Sequence, residues 1–213
     1  MRKRILICLL ATTAALLAAC DSKPAATASS PPAPIGPGPS SAAPSPTSSW
    51  TPSPGLVGQF NDARLATGKY ATDVKLAQAD GYMIITKMMP GMGFHYLNPK
   101  ITSFDVTKPM ILVYEQHGNA WQLAALEWVF PEKPATLPLE GATYGSFDAA
   151  CHYKDGTFVP KATEAECAKT APDTGSPFNF WHPTLVTMHA WIWYDNPAGV
   201  YHGTNPLVEG FTA

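Results

Sequence analysis

The sequence predicts an α+β protein that is mainly β, with an antiparallel sheet or barrel-like core and one N-terminal helix packed on it. Two features favour this class. Helical periodicity is confined to residues 61–80, whereas the residues that follow form short β-rich runs separated by turn signals. One helix followed by hairpins is typical of an antiparallel sheet that a helix covers.

The helix is predicted over residues 61–80, with a weak point at Gly68 and an end at Gly81. Its apolar side chains recur about every three or four residues, as on one face of a helix, rather than at every second residue, as in a strand. The face expected to pack on the sheet carries Leu65, Tyr70, Val74 and Ala77.

Short strands are predicted at residues 82–87 and 94–97, on either side of a bend at 88–93 that contains Pro90. The last long strand is predicted at residues 185–194. It is apolar on both sides, so both of its faces need cover.

The strongest hairpin joins residues 110–115 to residues 121–130, because Gly118 and Asn119 form a suitable two-residue turn. Pairing His117 with Ala120 then fixes the register. Glu127 is expected to lie among apolar neighbours, although a loop one residue longer would merge the two faces. The residues predicted to share its face are Leu112, Tyr114, Leu123, Ala125 and Val129.

The N-terminus predicts export and lipid attachment. Residues 1–19 combine a basic start with a short apolar run, as in a signal peptide that is cleaved. The segment Leu17-Ala18-Ala19-Cys20 resembles the lipobox of bacterial lipoproteins. That resemblance implies that Cys20 is acylated and anchors the chain to the lipid bilayer. Asp21 resembles an inner-membrane retention signal, which favours the periplasmic face of the inner membrane over the outer membrane.

Composition divides the rest of the chain. Residues 20–55 are rich in Pro, Ala and Ser and predict a disordered tether, and residues 56–213 predict a single globular domain. Only 14% of the residues are charged, and without Arg2, Lys3 and Arg4 the net charge is about −5. A negatively charged domain is not expected to bind nucleic acid, which is itself an anion. The partners that remain are a small ligand or an envelope protein.

Cysteine use points to a disulfide between Cys151 and Cys167. Cys8 leaves with the signal peptide and Cys20 takes the lipid, so two thiols remain in an oxidising compartment. A bridge closing a loop of this size contributes about 3 kcal/mol in the chain-entropy model. Pairing also removes the free thiolate that a blue-copper centre needs. The residues after the bridge, up to 178–183, are expected to form loops.

Three side chains form a candidate metal site. His95 and His189 lie in apolar strand-like runs, and Glu127 is expected to face inward. Two imidazoles and one carboxylate can hold a divalent transition metal such as zinc or copper and leave positions open. The alternative is that each side chain satisfies buried backbone groups of its own neighbourhood.

Thioethers near His95 suggest a second metal chemistry. Met88, Met89 and Met92 together with this imidazole are the soft ligand set that suits Cu(I). Methionines beside a turn also serve as core filler, which is the alternative.

Signatures of known catalytic motifs are missing from the sequence, among them Gly-x-Ser-x-Gly and His-Glu-x-x-His. The preferred prediction is therefore a membrane-anchored envelope lipoprotein whose domain binds a ligand or partner without catalysis. The rival is a metal-binding protein or metal-dependent enzyme. The two predictions differ in whether His95, Glu127 and His189 converge in space.

Several segments resemble a family of uncharacterised bacterial secreted proteins with no known activity. The resemblance covers most of residues 66–206 and implies one intact exported domain, without implying a reaction. The segments that carry it are 66–70, 77–82, Met92-Gly93-Phe94-His95-Tyr96-Leu97-Asn98-Pro99, 112–115, 126–129, His189-Ala190-Trp191-Ile192-Trp193 and Asn196-Pro197-Ala198-Gly199.

Overall fold

The computed structural model describes residues 51–208. The expected signal peptide, the expected lipid-attachment residue Cys20 and residues 21–50 of the expected tether lie outside the described residues. Among the described residues, no helix has both the length and the apolar character needed to cross a membrane.

The helical segment begins earlier than predicted. Helix α1 spans Pro54–Thr67, and the Ser53 hydroxyl caps it by accepting a hydrogen bond from the Leu56 amide at 3.2 Å. A 3₁₀ turn at Gly68–Tyr70 and helix α2 at Val74–Ala79 follow, so the predicted weak point at Gly68 is confirmed.

The buried face of α1 also differs from the prediction. Leu65 was expected to pack on the sheet, but it is 82% exposed. The earlier start sets a different apolar stripe, with a spacing of three or four residues, that faces the core. Its members are Leu56, Phe60, Ala63 and Thr67.

The main sheet has six antiparallel strands in a half-barrel, which together with the helix confirms the predicted fold class. The strand order is β1-β2-β3-β4-β9-β5. The predicted last strand ends at Ala190 rather than residue 194. The bounds are β1 Met83–Met89, β2 Gly93–Leu97, β3 Ile111–His117, β4 Ala120–Phe130, β5 Gly145–Phe147 and β9 Leu185–Ala190.

A second, three-stranded sheet contains β6 Ala150–Tyr153, β7 Phe158–Pro160 and β8 Phe178–His182, in the order β7-β6-β8. The prediction of a loop ending at residues 178–183 is therefore wrong over β8. These residues are half-buried aromatics that pair with β6, whose own position is set by distant parts of the chain.

The disulfide between Cys151 and Cys167 is confirmed, with a Cα–Cα distance of 5.7 Å. Cys151 lies at the centre of the small sheet, and Cys167 follows a short 3₁₀ turn at Glu164–Glu166. The bridge holds the connection between β7 and β8 against the sheet.

Each face of the main sheet has its own cover. The Tyr114 hydroxyl donates to the Tyr70 carbonyl at 2.9 Å, and the Trp193 indole N–H donates to the Thr67 hydroxyl at 3.0 Å. The helical segment therefore packs on the face that carries Tyr114. On β1 the small sheet attaches through the His152 ring, whose Nδ1–H donates to the Ile85 carbonyl at 2.8 Å.

Candidate metal centre

The strand register brings the three predicted side chains onto one face. Glu127 on β4 lies directly opposite His189 on β9 and opposite Ile111 on β3. His95 on β2 lies opposite Val113, which is two residues from Ile111. Because alternate residues of a strand share a face, all three ligand candidates point away from the Tyr114 side.

A β-bulge decides this placement of Glu127. Near the turn the register follows the prediction, with His117 opposite Ala120 and Tyr114 opposite Leu123. Ala124 is then an extra residue, and Val113 pairs with Ala125. The predicted face shared by Glu127, Leu112 and Tyr114 is therefore wrong.

The three side chains form one compact group. The distance from His95 Nε2 to Glu127 Oε2 is 3.6 Å, and from His189 Nε2 to Glu127 Oε1 it is 3.4 Å. One ligand atom from each residue lies within 4.8 Å of the others. Two ligands of a tetrahedral zinc ion at 2.1 Å are separated by roughly 3.4 Å, so small side-chain shifts suffice to bind an ion.

Burial sets the protonation of the group. Each of the three residues is only 4% exposed. Burial raises the pKa of Glu127 to about 8, and it lowers the pKa of His95 to about 3 and that of His189 to about 4. The nearby His189 ring further lowers the pKa of His95. Without metal at neutral pH, the carboxyl is therefore protonated and both imidazoles are neutral.

The hydroxyl of Thr86 on β1 orients the His95 ring. It lies 2.7 Å from His95 Nδ1 and also accepts the His95 backbone N–H at 3.2 Å. If Nε2 held a metal, Nδ1 would keep its proton and donate it to this hydroxyl, as metal-bound histidines do with their outer partners. Trp191 stacks on the His189 ring with an interplanar angle of 10°.

Gly93 brings β2 close enough to β3 for this geometry. Its φ of +83° favours glycine, and a Cβ at this position would clash with the Tyr114 carbonyl oxygen. Strand β2 begins at this glycine, two residues before His95.

A Thr86→Val substitution is expected to weaken zinc binding about 10- to 100-fold, because the shape is kept while the partner of His95 Nδ1 is lost. Competition with a chromophoric chelator measures the affinity. Thr143→Val is the matched control, since the Thr143 hydroxyl donates to the Tyr201 carbonyl away from the site. Equal zinc affinity in the Thr86 variant and the control would contradict the assigned role.

A buried nitrogen without a hydrogen bond indicates that His95, Glu127 and His189 suit a metal ion. Among residues 51–208 the Nε2 atoms of His152, His182 and His189 are buried without a hydrogen bond, and that of His189 is the one beside other candidate ligands, 3.4 Å from Glu127 Oε1. A buried acceptor left without a partner costs about 1–3 kcal/mol, which a bound cation would remove. Two imidazoles and one carboxylate with positions left open form the ligand set of catalytic rather than structural zinc sites.

A cavity of about 140 Å³ adjoins the three ligands. Of the three methionines in the Cu(I) hypothesis, Met89 and Met92 line this cavity with His95, whereas Met88 lines a separate surface pocket beside Gly156. The other lining residues are Ile85, Thr86, Ile111, Ser146, Phe147 and Thr187.

The remaining histidines lie outside this group. The His182 ring donates to the Pro183 carbonyl at 2.6 Å, and His117 lies 3.0 Å from Glu115 Oε1. His202 is exposed and its Nδ1 lies 2.7 Å from the Thr204 carbonyl oxygen. Of the six histidines in the sequence, His95 and His189 are therefore the two that converge with Glu127.

Sequence reasoning missed Thr86, Ser146 and Thr187. Thr86 is a polar residue in the apolar run Ile84-Ile85-Thr86. This position could have indicated its role, because a buried polar group needs a hydrogen-bond partner. Thr187 carries the same signal, because it lies in the apolar run Val186-Thr187-Met188, whereas Ser146 carries none and strand pairing alone places it at the cavity.

No family model, curated protein or solved structure matches this chain. The function is therefore inferred from the geometry of the site.

Proposed function

We propose that this protein binds a divalent transition-metal ion, zinc or copper, through His95, Glu127 and His189. The observation that carries the proposal is the convergence of three buried ligand atoms to within 4.8 Å of one another. The remaining coordination positions face the cavity, which suits either a metal-dependent enzyme or a metal carrier.

A purely structural role for these side chains is less well supported. Structural histidines bond separate backbone groups, as His152 and His182 do here through Nδ1. By contrast, the Nε2 atoms of His95 and His189 both face the Glu127 carboxyl group. We therefore prefer metal binding to the metal-free binding domain that the sequence alone favoured.

Elemental analysis of the purified protein after zinc or copper loading tests this function. About one metal ion per chain is expected, and His189→Ala is expected to lose it because two ligands hold an ion poorly. His202→Ala is the matched control, since that imidazole is exposed and outside the site. Substoichiometric metal that does not change with His189→Ala would overturn the proposal.

We further propose that the metal-binding domain is anchored in the bacterial cell envelope through acylated Cys20. The disulfide supports an oxidising compartment, because such bonds are rare in the cytosol. Asp21 favours the periplasmic face of the inner membrane. Metabolic labelling with a fatty acid is expected to mark the natural chain and to fail with Cys20→Ser, and a variant that still incorporates label would contradict the anchor.

A further inference from the structure

We propose that the open positions of this metal centre take a small monoanion with a short apolar group, such as a short-chain carboxylate. The inference rests on the proposed metal site and names the ligand class that this site selects. Three properties of the cavity carry it: the net charge of the loaded centre, the chemistry of the walls and the volume.

The loaded centre carries one uncompensated positive charge. A divalent ion with ionised Glu127 and two neutral imidazoles has a net charge of +1. Among the residues that line the cavity, Glu127 is the only acidic or basic side chain other than the imidazoles. A buried charge without a partner costs several kcal/mol, so the centre favours an anionic fourth ligand over a neutral one.

The walls of the cavity are mainly apolar. Ile85, Ile111 and Phe147 contribute hydrocarbon surface, and two methionines add to it. Such walls suit the apolar group of a ligand whose anionic atom lies on the metal. A bare inorganic anion would leave this surface without contact.

Two hydroxyl groups besides that of Thr86 line the cavity and are the donors available to the second oxygen of a carboxylate. Thr187 lies on β9 two residues before His189 and is 5% exposed, so its side chain shares the face of the ligand. Ser146 on β5 is exposed and also lines the cavity, which therefore reaches solvent beside this strand.

The volume limits the size of the ligand. A closed cavity of about 150 Å³ holds benzene, so the cavity of about 140 Å³ encloses about six non-hydrogen atoms, and a larger ligand would extend through the opening beside β5. Propionate meets this limit, whereas benzoate exceeds it.

Titration of propionate into cobalt-loaded protein, followed by visible absorption of the metal, tests the inference. Propionate is expected to bind at least tenfold more tightly than neutral propionamide and at least tenfold more tightly than benzoate. Metal-free protein gives no signal and serves as the blank. Thr187→Val, measured at full metal loading, is expected to weaken propionate binding about tenfold, with Thr143→Val as the matched control.

The outcomes separate this inference from the proposed function. Metal-loaded protein that binds propionate no better than propionamide would overturn the anion preference and leave the metal site standing. Benzoate binding as tight as propionate binding would overturn the size limit. Failure to take up cobalt, zinc or copper would overturn the metal site itself, and the inference with it.

Discussion

Replacing Glu127 with glutamine is expected to stabilise the metal-free protein at pH 9 by a few kcal/mol while weakening zinc binding at least about 100-fold. Both effects follow from a buried carboxyl group whose pKa is raised by burial from 4.5 to about 8. The same side chain thus supplies the charge that a metal needs and lowers the stability of the protein without metal.

The sign of the stability effect follows from proton linkage. Folded protein holds the Glu127 proton more tightly than unfolded protein, so the favourable contribution is complete below pH 4.5 and is lost as the pH rises through 8. Above pH 8 the folded state contains a buried carboxylate without a cation. Glutamine removes this charge, and its amide N–H group can donate to the imidazole nitrogen that it faces.

Urea denaturation at pH 6 and pH 9 with a metal chelator present measures the effect on the free energy of unfolding. The variant is expected to gain stability relative to the natural protein at both pH values, and more at pH 9 than at pH 6, because unfolded protein already releases this proton above pH 4.5. Glu132→Gln is the matched control, because the Glu132 side chain is exposed. Natural and Glu127 variant proteins of equal stability at pH 9 would contradict the burial of an ionising carboxyl group.

Zinc affinity is expected to rise about 100-fold between pH 6 and pH 8. Below pH 8 the metal must displace the proton of Glu127, so each pH unit changes the affinity about tenfold. The imidazoles do not add to this pH dependence of the zinc affinity, because they are already neutral above pH 6. Burial lowers the pKa of His95 to about 3 and that of His189 to about 4. An ordinary histidine site would instead lose its pH dependence above about pH 6.5.

Calorimetry in two buffers of different ionisation enthalpy counts the released protons. About one proton per zinc ion is expected at pH 6.5 from the natural protein. His202→Ala should release the same number, since it leaves the site intact. A zinc affinity that is flat between pH 6.5 and pH 8 would contradict the raised pKa of Glu127.

Local signals in the sequence account for much of the fold. The turn at Gly118 and Asn119 was predictable because glycine tolerates the positive φ, here +58°, that a two-residue hairpin needs. The pairing of Cys151 with Cys167 followed from counting thiols. The residue types at positions 95, 127 and 189 suggested a ligand set without showing their distances.

The bulge at Ala124 was not predictable from local sequence. The carbonyl of this extra residue accepts hydrogen bonds from the backbone N–H groups of Trp193 at 3.3 Å and Tyr194 at 3.0 Å. Those partners come from the segment after β9, far along the chain. Without the bulge Glu127 would face Tyr114 instead of His95, so the convergence of the three side chains depends on a residue that makes tertiary contacts.

The early start of helix α1 was readable in principle. Ser53 followed by Pro54 is the typical pair of an N-cap and a first helical residue. Both residues share the composition of the proline-rich segment before them, which concealed the signal. Recognising the cap would have placed Leu56 and Phe60 on the buried face and Leu65 outside.

Anomalous scattering at the zinc absorption edge, from crystals of the zinc-loaded protein, tests the shared metal site most directly. The expected result is a single strong peak about 2.0–2.2 Å from His95 Nε2, His189 Nε2 and a Glu127 carboxylate oxygen. A zinc peak bound only to surface side chains, with the three buried side chains unbridged, would contradict the account.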